Sequence, residues 1–338
     1  MSAYFRPLPQ CSNARPAEAV PLAGGPLWFT HAIRFSREGA PSSAGEVVPA
    51  AAIPAAYLER LSAPRAPVAG LDMGRTALMG ILNTTPDSFS DGGDHNDVAA
   101  ARDAALAMVA AGADIIDVGG ESTRPGAVEV PVDEEIARTR PVIEAIRAQS
   151  HVPISIDTRK SAVARAAIGA GADLVNDVSA FGFDPKMRQV CADLGAPVCL
   201  MHAQGDPSTM QHDPQYRDVL LDVYDALEAA VARAEAAGIA RARILVDPGI
   251  GFGKSEAHNL RLLQHISLLH GIGCPILLGV SRKGFIGRIG KAPDPKDRAA
   301  GSIAVALAGL AQGVQMLRVH DVRETASALA LWRAARGL

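Results

Sequence analysis

The chain has 338 residues, 48% hydrophobic and 20% charged, with a formal net charge of −3. That length can bury one large core or two ordinary ones, and the near-neutral balance gives no electrostatic basis for binding nucleic acid or an anionic membrane. Cys11, Cys191, Cys199 and Cys274 form no C-x-x-C pair, which excludes the usual zinc and thioredoxin spacings and fits a reducing compartment.

The first seventy residues are rich in Pro, Ala and Gly. Their opening, "MSAYFRPLPQCSNARPAEAV", has no basic stretch followed by an apolar core, so no signal peptide is read and a cytoplasmic location is expected. The stretch "PLWFTHAIRFS" (26–36) is predicted as one strand or two, and "PAAYLERLSA" (54–63) as a short helix. Residues 1–70 are read as an appendage over the closed end of a domain spanning 71–338, with Trp28 and Phe29 as packing residues.

From Ala77 onward one grammar repeats: an Ala-rich helical stretch ends in Gly, a short apolar run follows, and the run ends in a polar residue. Glycine suits the left-handed position that closes a helix, and continuous apolar strands indicate a parallel sheet covered on both faces. The runs are Leu78–Leu82, Ile115–Val118, Ile154–Ile156, Leu174–Val175, Val198–Met201, Ile244–Val246, Ile276–Val280 and Met316–Val319. Helices are predicted at Val98–Ala111, Asp133–Gln149, Lys160–Ala170, Tyr216–Ala237 and Arg298–Ala311, among others. Eight βα units in a stretch of this length match a (β/α)8 TIM barrel, typically about 250 residues; a doubly wound sheet is the alternative.

Two segments mislead at first sight. "DPGIGFGKS" (247–255) ends like a P-loop, but the glycine required five positions before Gly253 is Pro248, which offers no N–H. Ala299–Leu317 is uncharged and long enough to span a bilayer, yet it holds Ser302, Gln312, Gln315 and a break at Gly313. It is read as a buried helix running into a buried strand.

Active sites of such barrels lie at the C-terminal strand ends. There the sequence delivers Asn83, the loop "TTPDSFSDGG", the loop "GGESTRPG", Asp157, Asn176-Asp177, His202, Asp247, Ser281-Arg282-Lys283 and Arg318-Val-His320. Asn83, Arg318, His320 and Arg124 form an anion-favouring side, because guanidinium forks match phosphate oxygens. Asp157, Asn176, Asp247 and Lys283 form a hydrogen-bonding side, suited to the N–H and carbonyl edges of an aminopyrimidine. A heterocycle carrying phosphate or pyrophosphate satisfies both.

The segments "MGILNTTPDSFSDGG" (79–93), "DIIDVGGESTRPGA" (114–127), "SIDT" (155–158), "ND" (176–177), "LMH" (200–202), "DPGIGFGK" (247–254), "GVSRK" (279–283) and "RVHDV" (318–322) resemble, in order, the motifs of the dihydropteroate synthase family. The resemblance implies a TIM-barrel transferase of folate biosynthesis. Its reaction joins 6-hydroxymethyl-7,8-dihydropterin pyrophosphate to p-aminobenzoate with Mg²⁺, and the family suggests a homodimer. It also implies residue roles. Asp157, Asn176, Asp247 and Lys283 would hold the pterin. Asn83, Thr123, Arg318 and His320 would hold the pyrophosphate, with Asn83 close to Mg²⁺. Phe89, Arg124, Pro125 and Gly284 would border the p-aminobenzoate. Asp91, Arg124, Lys283, Arg318 and His320 would act in catalysis. Gly284 departs from the serine that many members carry there. Two other readings keep the pocket but change the activity: a methyltetrahydrofolate methyltransferase, and a non-catalytic pterin-binding paralogue.

Overall fold

The computed structural model describes residues 3–37, 45–84, 94–122, 128–205, 210 and 213–338. Five strands open the chain: β1 (Ala3–Pro7), β2 (Val20–Pro21), β3 (Trp28–Phe29), β4 (His31–Ser36) and β5 (Glu46–Pro49), followed by helix α1 (Ala55–Ser62). "PLWFTHAIRFS" thus contains two strands, split at Thr30. Strands β1, β4 and β5 form an antiparallel sheet, and β2 pairs with β3.

The remainder alternates strand and helix: β6 (Ala77–Asn83), α2 (Asp94–Ala110), β7 (Ile115–Gly119), α3 (Val132–Arg147), β8 (Ile154–Asp157), α4 (Ser161–Gly169), β9 (Leu174–Asp177), α5 (Met187–Asp193) and β10 (Val198–Met201). Then come α6 (Val219–Ala236), β11 (Ile244–Asp247), α7 (Glu256–Gln264), β12 (Leu277–Leu278), α8 (Gly284–Ile289), α9 (Ala299–Leu310), β13 (Met316–Val319) and α10 (Val322–Arg336). Strands β6 to β13 are parallel neighbours in chain order; β13 returns to pair with β6, and a bridge from Val246 to Ile276 joins β11 to β12. This is the expected eight-stranded barrel. Gly112 and Gly171, at φ +108° and +110°, close α2 and α4 in the left-handed conformation. The uncharged 299–317 stretch divides into α9 and β13, and no described helix is long and apolar enough to cross a membrane.

Period-two alternation sorts each barrel strand. Ile116, Val118, Ile154, Ile156, Val198, Leu200, Val246 and Leu317 face the helices in the main core, whereas Met79, Ile115, Leu174, Cys199, Leu245, Leu277 and Met316 fill the interior with Val68, Leu71 and Met73. The next inward positions toward the C-terminal ends are polar: Asp117, Asp157, Asn176, Asp247 and Arg318. The apolar layer is thus a floor, and the polar layer lies above it.

The N-terminal sheet has its own small core of Phe5, Leu22, Phe29, Ala32, Val48 and Leu61, onto which Tyr57 and Leu338 pack. Its Tyr4 and Phe35 side belongs to the barrel core. The sheet lies along the barrel's flank: Tyr4 donates to Asp225 of α6 at 3.0 Å, Arg37 pairs with Asp222 at 2.7 Å, and Arg6 donates to the Gln264 carbonyl at 2.9 Å.

Candidate active site

A cavity of about 680 Å³ opens at the C-terminal strand ends, and Asn83, Asp157, Asn176, Asp247, Lys283, Gly284, Arg318 and His320 all line it. Eight positions separated by as much as 237 residues therefore meet at one rim. Phe89, Asp91, Thr123, Arg124 and Pro125 lie outside the described residues. A second, mainly apolar cavity of about 410 Å³ lies at the opposite end, beside Thr76 and Gln315, and holds no comparable polar cluster.

Arg318 is central. Its Nε donates to Asp117 Oδ2 at 2.6 Å and its Nη2 to Asp157 Oδ2 at 2.7 Å. Asn176 Nδ2 also donates to Asp117 Oδ2, at 3.2 Å, which fixes the end of the amide turned away from Asp117. Sequence reasoning places Arg318 with the anion-binding groups, apart from Asp157; the structure joins the two sides through this ion pair. Asp117 was not anticipated. It is an acid inside an apolar strand, fully buried, and its Oδ1 has no hydrogen-bond partner. That break in the apolar pattern of "DIIDVGG" is the signal that could have found it.

Electrostatics follow burial. Desolvation holds the Asp157 carboxyl above the usual carboxylate range, assisted by Asp117 and opposed by Arg318. Burial likewise raises Asp247 to about 6, against the N–H bond from Gly249 and the charge of Lys283. Asp247 Oδ1 accepts that Gly249 N–H at 2.7 Å. Gly249 has φ +64°, and a Cβ there would stand 1.9 Å from the His202 carbonyl oxygen, so only glycine permits this turn.

The other strand ends divide into groups that line the cavity and groups that support it. Ser281 Oγ lies 2.9 Å from His320 Nδ1 and orients the ring. Lys283 Nζ sits 4.1 Å from the centre of the Phe252 ring, another cavity residue that strand-end reasoning does not single out. Arg282 adopts φ +58° and pairs with Asp321, which turns the chain so that Lys283 reaches the cavity. Asp177 faces away, accepting N–H bonds from Ser179 at 2.8 Å and Phe181 at 2.7 Å. His202 lies off the cavity and contacts Lys254, described below. Beneath the loop after β7, Glu121 pairs with Arg159 and Lys160, and Lys160 also binds Glu135 at 2.7 Å.

The barrel and its mouth define an enzyme built to hold a planar polar heterocycle beside an anion. A family profile described as "Pterin binding enzyme" matches residues 79–320. The dihydropteroate synthase of Escherichia coli (strain K12) is 48% identical over 259 residues, covering 77% of this chain and 91% of that protein. A solved Yersinia pestis dihydropteroate synthase with a sulfonamide drug is 47% identical at a TM-score of 0.75, over 79% of this chain and 97% of that one. The Xanthomonas albilineans enzyme with 4-aminobenzoic acid is 47% identical at a TM-score of 0.76, over 81% and 99%. The chain belongs to the dihydropteroate synthase family, transferases of folate biosynthesis.

Proposed function

We propose that this chain condenses 6-hydroxymethyl-7,8-dihydropterin pyrophosphate with p-aminobenzoate to give 7,8-dihydropteroate and pyrophosphate. The observation that carries the reading is the convergence of Asp157, Asn176, Asp247, Lys283, Arg318 and His320 on one cavity inside the family match. Asp157 and Asp247 accept from the pterin's N–H edge, Asn176 both donates and accepts, and Lys283 donates to the ring carbonyl. Asn83, His320 and Arg318 face the pyrophosphate, and Thr123 joins them by family likeness.

The C–O bond to pyrophosphate breaks with its electron pair leaving on the phosphate oxygen. The arylamine nitrogen then gives its pair to the pterin methylene, and its proton passes to solvent. Stabilising the departing anion with fixed positive groups supplies most of the rate. No strong base is needed. By the same likeness, Asp91 favours the cationic methylene, and Phe89, Arg124 and Pro125 border the p-aminobenzoate. Gly284 contributes backbone there, since it has no side chain and the Arg288 guanidinium stands 3.3 Å from where its Cβ would be.

The family implies Mg²⁺. Among the described residues no group of three or more His, Cys, Asp or Glu could hold a metal. Asn83 lines the same cavity as His320 and Arg318, and a single neutral amide oxygen there would suit Mg²⁺, which keeps waters and takes substrate phosphates as ligands. When bound, the ion would neutralise charge on the pyrophosphate.

We also propose a cytosolic homodimer, with residues 1–70 an appendage to a catalytic barrel of 71–338. The four free thiols fit a reducing compartment, and α9 presents an uncharged outer face. The test of function is pyrophosphate release that depends on p-aminobenzoate. Pterin binding without that release would favour a non-catalytic pterin-binding protein, and methyl transfer from a methylated folate would favour a methyltransferase.

A further inference from the structure

We propose that Lys254, the lysine of the P-loop-like Gly-Lys-Ser triplet, is a positioning residue for the pterin pocket: its ammonium, held in a cage of backbone carbonyls, fixes the turn that carries Phe252 and braces Asp247 and Lys283. The inference rests on reading this cavity as the pterin site.

The geometry is specific. Lys254 is only 2% exposed. Its Nζ donates to the carbonyls of Gly249 and Phe252, each at 2.9 Å, and of His202 at 3.2 Å, and lies 2.9 Å from His202 Nδ1. Burial pushes the His202 imidazole down to about 3, so at neutral pH the ring is uncharged and Nδ1 can accept an N–H from Lys254, which burial itself lowers to about 7 against the opposing charge of Asp247. One side chain therefore ties the end of β10 to the turn after β11. The His202 backbone N–H also joins the two segments directly, donating to the Asp247 carbonyl at 2.9 Å.

Two cavity groups depend on that tie. Gly249, whose carbonyl the ammonium holds, gives its N–H to Asp247 Oδ1. Phe252, whose carbonyl is also held, places its ring 4.1 Å from Lys283 Nζ. Further contacts finish the turn: Tyr216 Oη donates to the Gly253 carbonyl at 2.7 Å, and the Gly251 N–H donates to Asn259 Oδ1 at 2.7 Å. The motif thus inverts the logic of a phosphate loop. The backbone presents its carbonyls, not its N–H groups, and binds the chain's own cation.

Deleting the amine takes the Lys254 donor from the His202 and Phe252 carbonyls and leaves that of Gly249 with the Phe252 N–H alone, at 3.1 Å, which loosens the turn. In the full-length protein, Lys254→Ala is expected to raise the KM for the pterin pyrophosphate about tenfold or more, with a smaller change in kcat, because misplacement of supporting groups weakens positioning first. n-Propylamine replaces the deleted atoms and is expected to bring KM back at least halfway; tetramethylammonium, with no N–H, is expected to do nothing. If Lys254→Ala does not fold, Lys254→Gln, which still donates to two carbonyls, is measured in its place and is expected to raise KM to a lesser degree. An unchanged KM in either folded variant overturns the proposal, as does a loss that propylamine and tetramethylammonium affect alike. Asp247→Ala in the same assay separates the two levels. If it leaves pterin binding intact, the pocket assignment has failed. If it abolishes binding while the Lys254 variants behave as wild type, only the positioning role has failed.

Discussion

Asp247 faces opposite demands from fold and ligand. Burial raises its carboxyl from 3.8 to about 6. A raised carboxyl contributes stability below its unfolded value and loses it as pH rises through the folded value. The unliganded protein at pH 8 therefore carries a costly buried carboxylate, a cost that fits the acceptor role proposed for it toward a pterin N–H edge. Asp247→Asn is expected to stabilise the unliganded protein by roughly 1–3 kcal/mol at pH 8 and hardly at all at pH 4. Its pterin affinity should fall, because the amide presents N–H to a donor. Wild-type affinity should decline as pH drops through about 6. Thermal melts at the two pH values and calorimetric titration with a bare pterin check this; an equal gain at both pH values would argue against it. Arg318 makes a second case. Read only as a strand end, it belongs with the anion groups, and Arg318→Ala should spare binding of a bare pterin. Its ion pairs with the fully buried Asp117 and with Asp157 reverse that expectation. Removing the cation should cost roughly 3–5 kcal/mol and weaken bare pterin as well as the pyrophosphate substrate. A variant with unchanged Tm and intact pterin affinity would show that the carboxylates do not depend on it. At this scale the strand-end residues were legible because each interrupts an apolar run. Asp117 gave the same signal inside its run and was passed over, whereas the partners of Lys254 are set by tertiary packing.

Among the elements, the strands were legible to within a residue or two, since Gly before and a polar residue after punctuate nearly every one. The shortest barrel strand is β12, expected over Ile276–Val280 but regular only at Leu277–Leu278. It is nevertheless tied by the bridge from Val246 to Ile276. Short helices gave less signal: α8 has six residues, fewer than two turns, so no apolar period can establish itself. Helix α9 gives the opposite problem, with no charged residue over its 12 positions. Ala300, Ala304 and Ala308 stand exposed along it, with Ile303 and Leu307 half-buried. An uncharged outward face on a barrel helix suits association with a second copy. Ala304→Glu is expected to weaken the proposed dimer about 100-fold if α9 forms its interface, by burying a charge against its own symmetry mate. Sedimentation velocity across a dilution series reads this, and an undisturbed dimer would place the interface elsewhere.

For the molecule as a whole, barrel and mouth could be read from the sequence, but the arrangement of the first seventy residues could not. Their strands are short, and their packing partners lie far along the chain: Tyr57 shares a hydrogen bond with Tyr224, Arg60 pairs with Glu228, and Ser267 donates to the Pro7 carbonyl at 3.0 Å. No local periodicity encodes such contacts. The same separation governs how the molecule is made. The surface that receives Tyr4, Phe35 and Tyr57 includes α6 and the stretch 264–270, translated some two hundred residues later. At ribosomal speeds that gap lasts roughly 10–40 s. Through that interval the emerging sheet shows its sticky flank to the cell, so nascent-chain chaperones have an opening there that closes once α6 and the 264–270 stretch appear.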